Sequence, residues 1–351
     1  MINIIRKLIV VIVMQVMIDG KIMKLTAVWE EEGSLKYIDQ SLLPSQLKIA
    51  EAKSSDDVAE AIINMRVRGA PSIGAFAALG LAIAIKNGEK MDKALSKIKN
   101  TRPTANDLFY ALDIVANTYG DIDPLETART YVNKVINESR KIGELGKSLI
   151  KKNMNILTHC NAGALATIDW GTALSPIRFA KMDGMNPFVY VDETRPLLQG
   201  ARLTSWELRE EGIDHKIIVD NAAGFLMYKK EIDLVIVGAD RIARNGDVAN
   251  KIGTYEKAIV AKENRIPFYV AAPLTTFDKN IKSGNSIPIE IRNEIEVVNY
   301  NGIRTAPENV HAYNPAFDIT PARYITGYIT PIGIFKPEQL FLYFGKIGYD
   351  R

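Results

Sequence analysis

The sequence is poor in residues that staple a fold or hold a metal. Across 351 residues there is one cysteine, Cys160, and there are three histidines, His159, His215 and His311. A single thiol excludes an intrachain disulfide framework and suits a reducing compartment such as the cytoplasm. So few soft ligands leave no support for a zinc site of the usual ligand sets. An excess of one charge is missing as well, with 44 Lys+Arg against 41 Asp+Glu and a formal net charge of +3. No dense basic run or interleaved aromatic stripe is present, so nothing supports a nucleic-acid partner. The chain is 47% hydrophobic and 24% charged, a soluble globular composition. Its length allows one large domain or two ordinary ones.

A long hydrophobic run is absent too. Residues 1–18, MINIIRKLIVVIVMQVMI, are apolar, but their uninterrupted stretch at 8–14 falls far short of the roughly 20 residues that span a bilayer. No A-x-A cleavage site follows it. We therefore expect no membrane role, and read residues 1–22 as an added strand, a tail or a misassigned start. Met23 is the alternative beginning. It opens MKLTAVWEEEGSLKYIDQ, which alternates like a hairpin around Glu31-Glu32-Gly33.

From about Leu47 to Ser148 the apolar spacing is helical, as in SDDVAEAIINMRV and PLETARTYVNKVINESRKIGELGKSLI. Asp123-Pro124 places Pro near the start of the second run. From about Met154 the period changes. Short apolar runs stand at 155–159, 187–191, 216–219, 233–237 and 267–271, each followed by a stretch suited to a helix. That alternation predicts a parallel sheet in a doubly wound α/β fold.

Those runs lead into Cys160, Asp192-Glu193, Asp220-Asn221, Asp240 and Pro273-Leu274-Thr275. In an open parallel sheet, ligands bind beyond the carboxyl ends of the strands. Cys160 and Asp240 are thus expected on the same edge. A buried cysteine commonly serves as a small hydrophobe, yet a strand end before Asn161-Ala162-Gly163 suits a reacting group. Asp240 emerges from the apolar run LVIVGA, where desolvation raises a carboxyl pKa and can keep it protonated as an acid. The competing reading is a surface carboxylate that caps the next helix or pairs with Arg241.

Three stretches are candidates for holding an anion. VRGAPSIGAFAALG (67–80) sets Arg68 and Gly69 before Pro71 and a small-residue helix, where N–H groups and the Arg could cradle a phosphate. The same glycines and alanines could instead serve a tight helix–helix contact. The stretch is neither a P-loop nor a dinucleotide fingerprint. NGDVANKIGTYEKAI (245–259) puts Asn250 and Lys251 at a turn opening a helix. Arg102 in TRPTAND is a third cation or a solvated surface charge.

Several long segments carry a family resemblance: RGAPSIG (68–74), THCNAGALAT (158–167), YVDETRPLLQGARLTSWEL (190–208), DNAAGFLM (220–227), VGADRIARNGDVANKIGTY (237–255) and NPAFDITPARYITGYITPIGIF (314–335). From about Met23 onward the chain resembles the methylthioribose-1-phosphate isomerases. These share a wider family with ribose-1,5-bisphosphate isomerases and regulatory subunits of the guanine-nucleotide exchange factor of translation initiation. ETRPLLQGARLTSWEL and GTALS (171–175) resemble the methylthioribose branch. The regulatory subunits would be expected to lack the reactive Cys and Asp.

The apolar extension at 1–22 is a departure from the resemblance, which implies a small hairpin and helical domain over 23–150 and a Rossmann-like catalytic domain over 151–351. It implies a cytoplasmic homodimer in methionine salvage that acts on a small sugar phosphate with neither metal nor nucleotide. The proton donor falls on Asp240 and the reactive or transition-state-stabilising thiol on Cys160. Substrate contacts fall on Arg68, Gly69, Ala70, Arg102, Gln199, Asn250 and Lys251. Trp206, Phe225 and residues 329–335 are candidates for apolar walls around a methylthio group, with Trp206 also a candidate for the core. No basic cluster beyond Arg68, Arg102 and Lys251 stands out to hold a second phosphate.

Overall fold

The structure, a computed structural model, describes residues 14–18, 21–102 and 106–344. Of the apolar extension, residues 1–13 lie outside the described residues. Strands β1 (Gln15–Ile18) and β2 (Lys21–Lys24) form an antiparallel hairpin. Met14, just before it, is fully buried beside Leu25, Ala27, Ile38, Leu165 and Trp206. Strands β3 (Val28–Glu31) and β4 (Ser34–Ile38) form the expected hairpin, turning through Glu32 and Gly33, both at positive φ. A third strand, β5 (Ile49–Ala52), pairs antiparallel with β4. The helical reading from Leu47 fails here, because cross-strand pairing outweighs the mild helix preference of IAEA.

Five helices follow: α1 (Ser55–Ile63), α2 (Ala70–Lys86), α3 (Met91–Lys99), α4 (Asn106–Asn117) and α5 (Pro124–Gly146). Helix α1 begins with a capping box between Ser54 and Asp57. Helix α2 is apolar on nearly every face and is accordingly the buried centre of this layer. Asp123 caps α5 through a 3.2 Å bond from the Leu125 N–H. That long helix packs on α2 and α4, and also on α7 (Leu174–Met182) of the sheet layer. Between them lies the short α6 (Ala164–Thr167).

The second layer is a seven-stranded sheet. The remaining strands in chain order are β6 (Asn155–Thr158), β7 (Phe188–Asp192), β8 (His215–Ile218), β9 (Leu234–Val237), β10 (Arg241–Ala243), β11 (Val248–Lys251) and β12 (Phe268–Ala271). They continue with β13 (Phe277–Asp278), β14 (Asn299–Tyr300), β15 (Ile303–Arg304), β16 (Phe317–Thr320), β17 (Gly327–Thr330) and β18 (Gly333–Phe335). The sheet order is β18-β17-β12-β9-β6-β7-β8, with only β18 antiparallel to its neighbour. All five apolar runs of the sequence are parallel strands of this sheet. Between strands run α8 (Ser205–Glu210), α9 (Ala222–Tyr228) and α10 (Thr254–Glu263).

Two crossovers depart from expectation. After β12 the chain passes through the turn Leu274–Thr276 into β13. No helix follows β9 directly. The chain instead makes the hairpin β10–β11, with Asn245-Gly246 at its tip and Gly246 at φ +88. This hairpin joins β13 and β16 in a separate four-stranded sheet. Asn-Gly between apolar stretches is itself a hairpin signal. Among the described residues, no helix is long and apolar enough to cross a membrane.

Candidate active site

Strand β6 lies between β7 and β9, so the winding of the sheet reverses there and a crevice opens beyond its strand ends. Cys160 follows β6 and Asp240 follows β9, the two strands that meet at this switch point. The cavity above them is lined by all nine residues singled out from the sequence: Arg68, Gly69, Ala70, Arg102, Cys160, Gln199, Asp240, Asn250 and Lys251. The helical layer supplies the first four and the sheet layer the other five.

Cys160 is held at φ +60, an uncommon conformation for a side-chain-bearing residue. Its N–H donates to Thr194 Oγ1 at 2.9 Å, and its carbonyl accepts from Thr204 Oγ1 at 2.6 Å. Thr204 closes a π-helical turn, Gly200–Thr204, an element frequent at functional sites. Gln199 enters that turn. It is buried, and its Oε1 has no hydrogen-bond partner among the described residues.

Asp240 is anchored by a 3.0 Å bond from its N–H to the Ala249 carbonyl, which sets it beside Asn250 and Lys251 on β11. Those two residues stand on a strand and not at the expected helix-opening turn; α10 starts three residues after Lys251. Asn250 donates to Thr254 Oγ1 at 3.0 Å. Lys251 donates to the Ala316 carbonyl at 3.1 Å, its ammonium 4.7 Å from the Phe317 ring centre. The surface reading of Asp240 fails. No helix follows for it to cap, and Arg241 faces Asp278 at 3.6 Å.

Burial pushes the Asp240 carboxyl up from its ordinary pKa, while Lys251, Arg102 and Arg68 pull it down without cancelling the rise. Burial likewise pushes the Cys160 thiol up, against Lys251 and Arg68. Both groups therefore lean toward their neutral, protonated forms. Arg68 is lowered by burial, yet its guanidinium is well held: Nη1 and Nη2 donate to Asn161 Oδ1 and Asn161 O, each at 2.9 Å.

Two charged residues of the cavity carried no sequence signal. Glu290 and Arg292 come from a loop outside the regular elements; Glu290 bridges Arg102 at 3.1 Å and Arg292 at 3.2 Å. A fourth cation therefore lies in the pocket, paired with a carboxylate. The apolar walls also differ from expectation. Trp206 is in the core with Met14, Phe225 is 59% exposed, and residues 329–335 lie in β17, β18 and their turn. Met65, Leu197, Pro273 and Phe317 line the cavity instead.

His159, Asp192 and Asp220 bring potential metal-ligating atoms within 4.8 Å of one another. Most of their atoms are already committed, although Asp192 Oδ1 has no hydrogen-bond partner among the described residues. Asp220 accepts the N–H groups of Thr194 and Arg195 at 2.7 Å each, and His159 bonds Asp192 at 3.0 Å and the Ile252 carbonyl at 2.8 Å. This trio braces the loops that carry Cys160.

A switch-point crevice with one thiol, one buried carboxyl and a ring of cations defines an α/β protein that handles a small anionic molecule. The chain belongs to the Initiation factor 2 subunit family, whose profile matches residues 66–337. It is 53% identical over 324 residues to a methylthioribose-1-phosphate isomerase of Acetivibrio thermocellus, covering 87% of this chain and 95% of that protein. It is 50% identical to the enzyme of the same name from Aquifex aeolicus, over 92% of this chain and 71% of that protein. The crystal structure of 5-methylthioribose 1-phosphate isomerase from Pyrococcus horikoshii superposes with a TM-score of 0.85 at 42% identity, over 91% and 96% of the two chains. The crystal structure of the translation initiation factor eIF-2B, subunit delta, from A. fulgidus superposes with a TM-score of 0.81 at 41% identity, over 90% and 97% of the two chains.

Proposed function

We propose that this chain is an aldose–ketose isomerase that converts 5-methylthioribose 1-phosphate to 5-methylthioribulose 1-phosphate, a step of methionine salvage. The observation that carries the reading is the meeting of Cys160 and Asp240 at the switch point, inside one ring of phosphate-competent side chains. The relatives named for this reaction support it. The chain's cysteine and aspartate at these two strand ends favour an enzyme over a regulatory subunit. We assign residues 23–150 and 151–351 as a small domain over a catalytic one, with the cavity between them.

The chemistry follows from the substrate. An aldose 1-phosphate is closed at C1 by its ring oxygen, so no carbonyl is free to enolise. Asp240, whose carboxyl burial pushes toward its protonated form, gives its proton to the ring oxygen as the C1–O bond breaks. The C1 cation that forms still carries the phosphate. Hydrogen then moves from C2 to C1, either as hydride or as a proton removed by Cys160 and replaced at C1. In the hydride route, C2 becomes a ketone as its hydroxyl proton returns to the Asp240 carboxylate. Because burial favours the neutral thiol, Cys160 is better suited to the hydride route, lining C1–C2 in a water-poor pocket. Arg68, the N–H groups at the start of α2, Arg102 and Lys251 hold the phosphate; Gln199 and Asn250 hold sugar hydroxyls.

The edge strand β8 and helix α9 expose Ile217, Val219, Phe225 and Tyr228, which supports a homodimer formed through that face. The deciding experiment for function is turnover of 5-methylthioribose 1-phosphate beside ribose 1,5-bisphosphate at one pH. A kcat/KM for the bisphosphate equal to or above that for the thioether would move the chain to the other isomerase branch. Binding of both without turnover would make it a sensor.

A further inference from the structure

Behind the cavity floor stands a carboxylate that touches none of its space. Glu207, on α8, is fully buried. Its Oε1 accepts from Asn161 Nδ2 at 2.8 Å and from the Leu165 N–H at 3.2 Å. Its Oε2 accepts from the Ala164 N–H at 2.7 Å and from Arg178 Nη2 at 2.6 Å. A buried carboxylate is tolerated only when its lone pairs are used, and here four donors use them. Gly163 makes room for it, since a β-carbon there would sit 2.2 Å from Oε2.

An ionised carboxylate can only accept, and an arginine can only donate. Asn161 stands between one of each. Its amide must therefore turn its NH2 toward Glu207, which leaves Oδ1 facing Arg68. The same NH2 reaches Thr204 Oγ1 at 3.2 Å, and Thr204 in turn donates to the Cys160 carbonyl. One buried acceptor thus fixes the direction of a whole chain of hydrogen bonds that ends on Arg68 and on the Cys160 turn.

We infer that Glu207 is a positioning residue of the site, which fixes the Asn161 amide so that Arg68 is held in the cavity beside Cys160 and Asp240. A glutamine at 207 would place an NH2 where only acceptors are wanted. Either Asn161 then flips and turns its NH2 on Arg68, or the helix start at Ala164 and Leu165 loses its acceptor. In the first case Arg68 loses an acceptor and drifts from the thiol.

The consequence can be read without substrate, because Cys160 is the only thiol in the chain. The charged groups acting on it are Lys251, Arg68 and Asp240. The pH midpoint of its alkylation by iodoacetamide would be measured in the parent, Glu207→Gln, Arg68→Ala and the double variant, with folding checked by circular dichroism. Loss of Arg68 from the thiol's side raises the midpoint. Simple removal of the Glu207 negative charge, or a loosened and wetter site, would lower it. We expect Glu207→Gln to raise the midpoint by about as much as Arg68→Ala, with no further rise in the double variant, the non-additivity of residues that act as one unit. An unchanged or lowered midpoint, or additive shifts, overturns the inference. If Glu207→Gln fails to fold, Asn161→Leu breaks the relay while sparing the other three donors to Glu207, and must raise the midpoint itself. The kinetic arm, a KM that rises more than kcat falls, rests on the isomerase reading. A parent without turnover would defeat that reading while leaving the alkylation result to decide this one.

Discussion

Gly69 and Ala166 approach so closely across the cavity floor that a β-carbon on residue 69 would lie 2.5 Å from the Ala166 Cα. Gly69 also sits at φ +90, immediately before the first turn of α2. Gly69→Ala must therefore strain the backbone, at about 1–3 kcal/mol, or push α2 away from α6. The variant should fold with a lowered Tm and lose at least about tenfold in kcat/KM, because the phosphate cradle moves relative to Cys160. Parent-like kinetics would show that the start of α2 takes no part in binding.

Asp240→Asn should abolish turnover while leaving substrate affinity nearly intact, since it keeps the shape and removes the acidic proton. Turnover within about tenfold of the parent would remove Asp240 from the acid role. The pH profile has a definite sign. Burial raises the Asp240 pKa, so the active, protonated form persists above the ordinary carboxylate range and is lost as pH rises through the raised value. The alkaline fall in kcat should thus disappear from any residual activity of Asp240→Asn.

Run in heavy water, the reaction should yield a ketose phosphate with little deuterium at C1. A proton removed by Cys160 would exchange with solvent, whereas a migrating hydride does not. One full deuterium at C1, beside the hydrogen C1 already carried, would assign Cys160 the role of base when seen by NMR.

Cys160→Ser should lose at least about two orders of magnitude in rate, and substrate should slow alkylation of the parent thiol. Alkylation at the same rate with and without substrate would put Cys160 outside the bound sugar's reach.

Arg68→Ala and Lys251→Ala should each raise KM and also lower kcat, because phosphate binding energy aligns the reacting carbons. An unchanged kcat/KM in both would refute the phosphate assignment.

The sequence made the parallel strands legible because their apolar runs are short, separated by crossover lengths and end in polar residues. Cys160 and Asp240 could be placed on one edge for that reason alone. That they stand on adjacent strands at the reversal of winding could not be read, since strand order depends on contacts remote in sequence. The hairpin after β9 was masked by the helix-like spacing downstream, although Asn245-Gly246 marked its turn. Glu290 and Arg292 were invisible for another reason: no element boundary precedes them, and only tertiary packing swings their loop over the cavity. Strand β5 shows propensity losing to a partner already in place.

The cavity wall is gathered from Met65 at one extreme to Phe317 at the other. Contacts so far apart in sequence close late, after the loop entropy between them has been overcome. A chain emerging from the ribosome thus carries its thiol and its acid long before it carries a pocket. Until β16 docks on β11, neither group has the dry surroundings that set its protonation, and Cys160 is an ordinary thiol in water. The surroundings of the thiol and of the acid are therefore a property of the closed tertiary fold and not of the strand ends that carry them.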